Sequence, residues 1–77
     1  MRLDQLAVNR PSHIASIDWA GLGDRQARRL RELGFDDGVE VEALHRGAFK
    51  GPIACRVGRM IVALRRIQAA AVRVEPA

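Results

Sequence analysis

The fold is decided by residues 23–38, which read Gly23-Asp24-Arg25-Gln26-Ala27-Arg28-Arg29-Leu30-Arg31-Glu32-Leu33-Gly34-Phe35-Asp36-Asp37-Gly38. Asp24 can cap a helix, because its carboxylate can accept hydrogen bonds from the free N–H groups of the first turn. Ala27, Leu30 and Leu33 recur at intervals of three and therefore share one face of that helix. The segment predicts an amphipathic, arginine-rich helix that starts near Asp24.

The same segment also predicts how the helix ends. Gly34 stands where a left-handed residue commonly terminates a helix, and Phe35 follows where a side chain packs back onto the last turn. In this Schellman arrangement Leu33 is the C-cap and Phe35 contacts Leu30. Asp36-Asp37-Gly38 then forms a turn, with a positive φ at Gly38.

The chain after this turn alternates between apolar and polar residues, which is typical of half-buried strands. We predict strands at 39–44, 53–57, 60–65 and 72–75, with a short helix at 66–71 and Pro76 ending the last strand. Gly58-Arg59 has the composition of a type II′ hairpin turn. Alternation predicts that Ile53, Cys55 and Val57 share one face of their strand, and that Met60, Val62 and Leu64 share one face of the next.

The residues before the arginine-rich helix predict one helical turn and one strand. Leu3 and Leu6, spaced by three, would lie on the barrel from a single turn within residues 1–7. Residues 9–12 are predicted to form a turn, in which Pro11 fixes φ. Residues 13–19 are predicted to form a strand whose broken alternation indicates a bulge or bend. Trp19 is expected at a barrel mouth, and residues 21–23 are expected to be a flexible approach to the helix.

This order of elements predicts a mainly β fold with one inserted helix, an SH3-like small five-stranded barrel. Short, half-apolar strands must curl together to bury their inner faces. A length of 77 residues predicts one domain over 1–77. Apolar residues make up 48% of the chain, which excludes disorder as the main state.

Charge and cysteine content limit the classes of function. The formal net charge is +4, and twelve of the 13 basic residues are arginines, which favours an acidic partner. The single cysteine cannot form an internal disulfide, and a reducing compartment fits best. No segment approaches the ~20 apolar residues that cross a bilayer, and residues 1–10 do not resemble a signal peptide. We expect a cytoplasmic protein with no membrane insertion.

The ordered motifs resemble the FeoA family of small cytoplasmic proteins of bacterial ferrous iron uptake. The resemblance rests on residues 13–75: the Leu33-Gly34-Phe35 helix end, the Gly58 hairpin, the run from Val62 to Arg66 and the closing Val72-x-Val74-Glu75. It implies an SH3-like barrel and a non-enzymatic role in support of FeoB, the membrane iron transporter with a cytoplasmic GTPase domain. A similar module occurs in iron-dependent repressors of the DtxR class. Many family members have Pro-Gly where this chain has Pro11-Ser12.

Residues that often carry chemistry have simpler interpretations here. The chain has no Cys-x-x-Cys or His-x-x-x-His spacing, so no metal site and no cofactor are predicted. Cys55 is interpreted as a small core residue, and His13 and His45 as strand-end residues at the rim. No catalytic residues are predicted, because the chain offers neither a nucleophile motif nor a phosphate-binding loop.

The arginine-rich helix is the main candidate for a binding surface. The guanidinium groups of Arg25, Arg28, Arg29 and Arg31 are suited to bidentate contacts with carboxylates or phosphates. The alternative is a solvated face, with Arg28 paired to Glu32. Arg65-Arg66 forms a second basic spot, and Phe49 in the 46–52 loop would be either a partner anchor or a cap on the barrel end.

Three functions follow from these features. The first is a protein-binding accessory module of ferrous iron uptake, which would contact FeoB through the arginines. The second is a small nucleic-acid-binding barrel, which the basic pI allows but the scarcity of aromatics and the acidic Glu40 and Glu42 disfavour. The third is an in-trans partner of an iron-dependent repressor. Edge strands of an open barrel could also pair copies into a weak homo-oligomer.

Overall fold

The computed structural model describes residues 1–48 and 51–76. Its strands are β1 (Ser12–Ile17), β2 (Glu40–Arg46), β3 (Ile53–Val57), β4 (Met60–Leu64) and β5 (Val72–Pro76). Its helices are α1 (Trp19–Glu32) and α2 (Arg66–Ala70), and a 3₁₀ turn spans Leu3–Gln5. All strand pairs are antiparallel, in the sheet order β4-β3-β2-β1-β5. The predicted five-stranded, SH3-like architecture is confirmed, although β4 and β5 do not pair to close the barrel.

The register of the sheet explains where the strands bend. The β1–β5 register shifts between Ile14 and Ser16, which confirms the bulge predicted from the broken alternation. A second shift lies between Ala43 and His45 in the β2–β3 pair. The β3–β4 hairpin is regular, with Val57 opposite Met60 across the two-residue Gly58-Arg59 connection.

The core is mainly aliphatic, and its residues come from the N-terminal turn, the strands and the helices. Leu3 and Leu6 are almost fully buried, so the N-terminal turn does lie on the barrel as predicted. The other buried apolar residues include Ile14, Leu30, Phe35, Val41, Ala43, Ile53, Cys55, Val57, Leu64, Val72 and Val74. Close packing of these residues between the sheet, α1 and the N-terminal turn fixes which helix face remains available to solvent.

The end of α1 has the predicted Schellman geometry. Gly34 has a φ of 94°, which is the left-handed conformation that glycine adopts without steric cost. The N–H of Phe35 donates to the carbonyl of Leu30 at 3.0 Å, and the N–H of Gly34 donates to that of Arg31 at 3.0 Å. Phe35 is only 2% exposed and belongs to the same core cluster as Leu30. This end therefore joins the helix rigidly to the core.

The start of α1 differs from the prediction. A helical turn begins at Trp19 and is capped by the side chain of Asp18, which accepts from the Gly21 N–H at 3.2 Å. The arginine-bearing segment begins after Gly23, near Asp24 as predicted, but it continues this earlier turn across a kink. Gly23 interrupts the helix with a φ of 77° and a ψ of 164°. The expected flexible approach at residues 21–23 was therefore wrong, because Asp18 nucleates a first helical turn that Gly23 redirects into the arginine-bearing segment.

The three residues predicted to share one face of β4 are buried to different extents. Leu64 is buried and Val62 is partly buried, but Met60 is 47% exposed. Met60 lies on the same face of β4 as Val62 and Leu64, as predicted. It is more exposed because it is the first residue of the edge strand. The predicted role of Phe49 lies outside the described residues.

Candidate partner-binding surface

The four predicted arginines all lie on α1 and all are exposed: Arg25, Arg28, Arg29 and Arg31. The opposite face of the same helix buries Leu22, Ala27 and Leu30. The 3.6-residue period of an α-helix sets this division, since residues three and four apart share a face. The structure thus holds four guanidinium groups on one rigid element, away from the core.

Internal ion pairs do not neutralise these arginines. Across the described residues, the salt bridges are Arg2–Asp4, His13–Glu75 and Glu42–Arg56, none of which involves α1. The Arg28–Glu32 pair, which belonged to the alternative of a solvated helix face, is not within salt-bridge distance. Exposed side chains without a fixed carboxylate keep their bidentate donors available to an anionic partner.

One of the four arginines is held in place by an aromatic ring. The guanidinium carbon of Arg31 lies 4.6 Å from the centroid of Trp19, which is a cation–π contact. Shallow depressions of about 480 and 370 Å³ flank this pair, one beside Phe35 and Val39 and one along the helix. Trp19 and Arg31 therefore form an ordered ridge between two concave surfaces. Trp and Arg are the residue types most enriched among side chains that dominate binding energy.

A chain of hydrogen bonds links α1 to the second basic spot. The Nε2 of Gln68 donates to Oε1 of Gln26 at 2.7 Å, and the N–H of Arg65 donates to Oε1 of Gln68 at 2.9 Å. Gln68 is only 5% exposed, so both ends of its amide are satisfied within the structure. This amide therefore connects the backbone at the start of α2 to the side chain of Gln26 on α1.

Cys55 lies in the core, as predicted. Its side chain is fully buried on β3, and this burial raises the pKa of the Cys55 thiol to about 11. Desolvation disfavours the thiolate, which is the form that binds metals and attacks electrophiles. The residue therefore packs as a small apolar group.

The two histidines lie on separate strands. His13 on β1 is partly exposed, and its Nε2 is 3.5 Å from a carboxylate oxygen of Glu75. His45 on β2 is exposed. Over residues 1–48 and 51–76, no three His, Cys, Asp or Glu side chains come together as a potential metal site.

A groove of about 450 Å³ lies beside the paired residues of β1 and β2 and the neighbouring end of β3. It is lined by His13, Glu40, Glu42 and Arg56, among others. The Glu42 carboxylate lies 3.6 Å from an Arg56 nitrogen, so the charges here largely pair with one another. This groove carries charges of both signs, whereas arginines predominate on the exposed face of α1, which also includes Asp24 and Glu32.

Comparison with known proteins identifies the family. The chain matches the FeoA domain over residues 1–76. The chain belongs to the FeoA domain family. Among proteins with curated functions, no significant match was found.

Solved structures of FeoA proteins share this fold. The FeoA protein of Stenotrophomonas maltophilia, solved in complex with zinc and described as a prokaryotic SH3 domain protein, is 36% identical with a TM-score of 0.82. That match covers 97% of this chain and 89% of the other. Iron(II) transport protein A of Clostridium thermocellum is 26% identical with a TM-score of 0.87 over 100% of this chain. The present chain spans 46% of that protein's length.

A manganese-dependent transcriptional repressor also contains this fold. Its TM-score is 0.86 at 20% identity, and the match covers 100% of this chain and 41% of the repressor. At that identity the similarity shows a shared fold alone.

The sequence predicted the exposed arginines, but it did not predict the Arg31–Trp19 contact or the Gln26–Gln68 hydrogen bond. Trp19 and Arg31 are twelve positions apart, and the kink at Gly23 lies between them, so helical spacing did not indicate their contact. Gln26 and Gln68 are 42 residues apart, and only the tertiary fold brings them together. The one local signal was Asp18 before Trp19, a helix-capping residue that would have placed the aromatic ring on the helix.

Proposed function

We propose that this chain is a non-enzymatic, cytoplasmic accessory domain of ferrous iron uptake, which binds the cytoplasmic GTPase domain of a FeoB-type transporter. The observation that carries the proposal is a set of four exposed arginines on α1 of a FeoA domain, which form no salt bridge with the other described residues: Arg25, Arg28, Arg29 and Arg31. Such a surface is complementary to an acidic patch, and acidic patches accept arginine forks through charge-assisted hydrogen bonds.

Within this surface the arginines have different parts. Arg31 is ordered by Trp19, so less side-chain entropy is lost when it contacts a partner. Arg25 and Arg29 are four residues apart on one helical face and can approach the same acidic patch. The resulting surface is broad and basic, with one aromatic at its edge.

The test is direct binding of the purified chain to the soluble GTPase domain of the FeoB protein from the same genome. Titration calorimetry should give a measurable Kd for the native chain. The double variant Arg25→Glu/Arg29→Glu should weaken binding by about tenfold or more, since each charge contact to a partner is worth on the order of a factor of ten. Affinity should also fall as salt rises.

A control variant distinguishes a contact made by the α1 arginines from a general effect of net charge on binding. Arg10→Glu/Arg73→Glu changes the net charge by the same amount, but its arginines lie before β1 and on β5. It should bind within about twofold of the native chain if contact is local. Equal affinity of both double variants and the native chain would refute the role of α1. Absence of any binding by the native chain would refute the FeoB partnership itself.

The nucleic-acid alternative is not favoured by any specific observation. Of the aromatic residues that the structure describes, Phe35 is buried, and one face of the partly buried Trp19 is covered by Arg31. A nucleic-acid-binding barrel normally presents such rings for base stacking.

Over the described residues, no helix is both long and apolar enough to span a bilayer.

A further inference from the structure

The two edges of the five-stranded sheet differ in what covers them. At the β5 edge, Arg2 forms a bridge with Arg73, and the N–H of Val74 donates to the carbonyl of Met1 at 2.7 Å. The N-terminal segment therefore pairs with that edge. At the β4 edge, no segment within residues 1–48 and 51–76 pairs on the outer side. The chain protects one edge and leaves the other open.

The open edge presents unused backbone groups. Val57 and Met60 flank a two-residue hairpin connection and therefore form a hydrogen-bonded pair. Along an antiparallel ladder, hydrogen-bonded pairs alternate with pairs that exchange no hydrogen bonds. Met60, Val62 and Leu64 therefore direct their backbone groups to β3. The N–H and C=O groups of Ile61 and Ala63 point outward, at the spacing that an added strand requires.

The side chains of β4 are unusually apolar for an exposed edge. Ile61 is 65% exposed and Met60 47% exposed, while Ala63 is also exposed. Natural edge strands usually avoid pairing by means of a lysine, a proline or an inward-pointing charge. Residues 60–64 contain none of these. An added strand would find apolar neighbours on both faces of β4.

Both ends of this apolar strand are positively charged. Arg59 precedes it and Arg65 follows it, and both are exposed. Neither takes part in a salt bridge in the described portion of the chain. The complementary occupant is an extended segment with an apolar centre and acidic residues at each end.

Self-pairing of two β4 strands fits less well. In an antiparallel pair centred on Val62, Arg59 of each copy lies opposite Arg65 of the other. Like charges directly opposite on neighbouring strands are destabilising. The charges at the strand ends therefore favour a different, acidic partner over a second copy.

We propose that β4 is a docking site for an extended segment of a partner protein, with an apolar centre and acidic ends, which adds to the sheet as a sixth strand. This site goes beyond the surface on α1, and either one can fail without the other. Main-chain hydrogen bonds to Ile61 and Ala63 would provide affinity, and Arg59 and Arg65 would set the preference for acidic ends.

The test uses the full chain and a fluorescein-labelled peptide with a valine and threonine centre and two glutamates at each end. Anisotropy should show saturable binding, and the amides of Ile61 and Ala63 should gain protection from hydrogen exchange. A peptide with lysines in place of the glutamates should bind about tenfold more weakly or worse. Failure of the acidic-ended peptide to bind, or protection elsewhere, would overturn the proposal.

Two variants separate backbone pairing from charge. Ala63→Pro removes an outward N–H without removing a β3–β4 hydrogen bond, a position where edge strands tolerate proline. It should weaken peptide binding about tenfold or more while thermal unfolding shows a folded chain. Arg59→Glu/Arg65→Glu should lose affinity, whereas the charge-matched Arg10→Glu/Arg73→Glu should retain more of it. Unchanged binding in both β4 variants would refute the site.

A second copy is the competing occupant. Sedimentation at rising protein concentration should show a monomer that Ala63→Pro does not alter. Dimerisation that Ala63→Pro abolishes would identify β4 as a self-association edge and would overturn the acidic-partner proposal.

Discussion

The two ends of α1 are built differently, and the difference shows what fixes a helix in a small domain. At its C-terminal end, two backbone hydrogen bonds, a left-handed Gly34 and the buried Phe35 connect the helix to the core. At its N-terminal end, Asp18 caps a first turn that Gly23 then interrupts. One end is anchored by burial, and the other is shaped by exposed capping and by backbone geometry. The anchored end carries stability, while the kinked end carries Trp19 and orients Arg31.

Replacing the aromatic residue at each end gives the largest expected contrast. Phe35→Ala should lower the free energy of unfolding by about 3–5 kcal/mol, because it leaves a cavity in the core. For a chain whose total stability is on the order of 4–11 kcal/mol, this approaches loss of the fold. Trp19→Ala removes a partly buried ring and should cost less. Urea denaturation followed by circular dichroism measures both, and equal losses would show that the two ends are equally anchored.

Gly23→Ala tests whether the kink itself is needed. Its φ of 77° and ψ of 164° lie in a region that only glycine occupies readily, and an added Cβ would meet no atom within 4 Å. The cost is therefore conformational, and we expect about 1–3 kcal/mol. A change in Trp19 fluorescence should accompany it, since a straightened helix would move the ring relative to Arg31. An unchanged midpoint together with an unchanged spectrum would contradict this account of the kink.

The smallest effect distinguishes the two aspartates at the start of the helix. Asp18→Ala should cost about 1 kcal/mol, because it removes the hydrogen bond to the Gly21 N–H. Asp24→Ala should change stability by no more than about 0.5 kcal/mol, as expected for an exposed residue with no such contact. Thermal unfolding of the two variants side by side measures the difference. The reverse order would restore Asp24 as the cap.

These two ends also show how far the sequence could predict the fold. The Leu33-Gly34-Phe35 end was predictable because its whole geometry is encoded within a few adjacent residues. The start was not, because Asp18 and Asp24 are both good caps and Trp19 also has a high strand propensity. The structure has a helical segment after each of them, joined at the Gly23 kink. The five strands, the β1 bulge and the burial of Cys55 followed from alternation alone.

The candidate surface was predictable in the same partial way. Exposure of the four α1 arginines followed from helical spacing. Contacts between distant positions, such as Arg31 on Trp19 and Gln68 on Gln26, depend on the fold and have no local signal. The open edge of β4 depends on strand order, which the sequence of elements does not specify by itself.

The burial of Cys55 makes the protein well suited to spectroscopic labelling. It is the chain's only sulfhydryl, and with a pKa of about 11 only on the order of one molecule in ten thousand carries the reactive anion at neutral pH. A maleimide dye should therefore modify a cysteine engineered at a solvent-facing position and spare the native one. Donor and acceptor fluorophores could then report distances on α1 and β4 without any prior removal of the natural thiol.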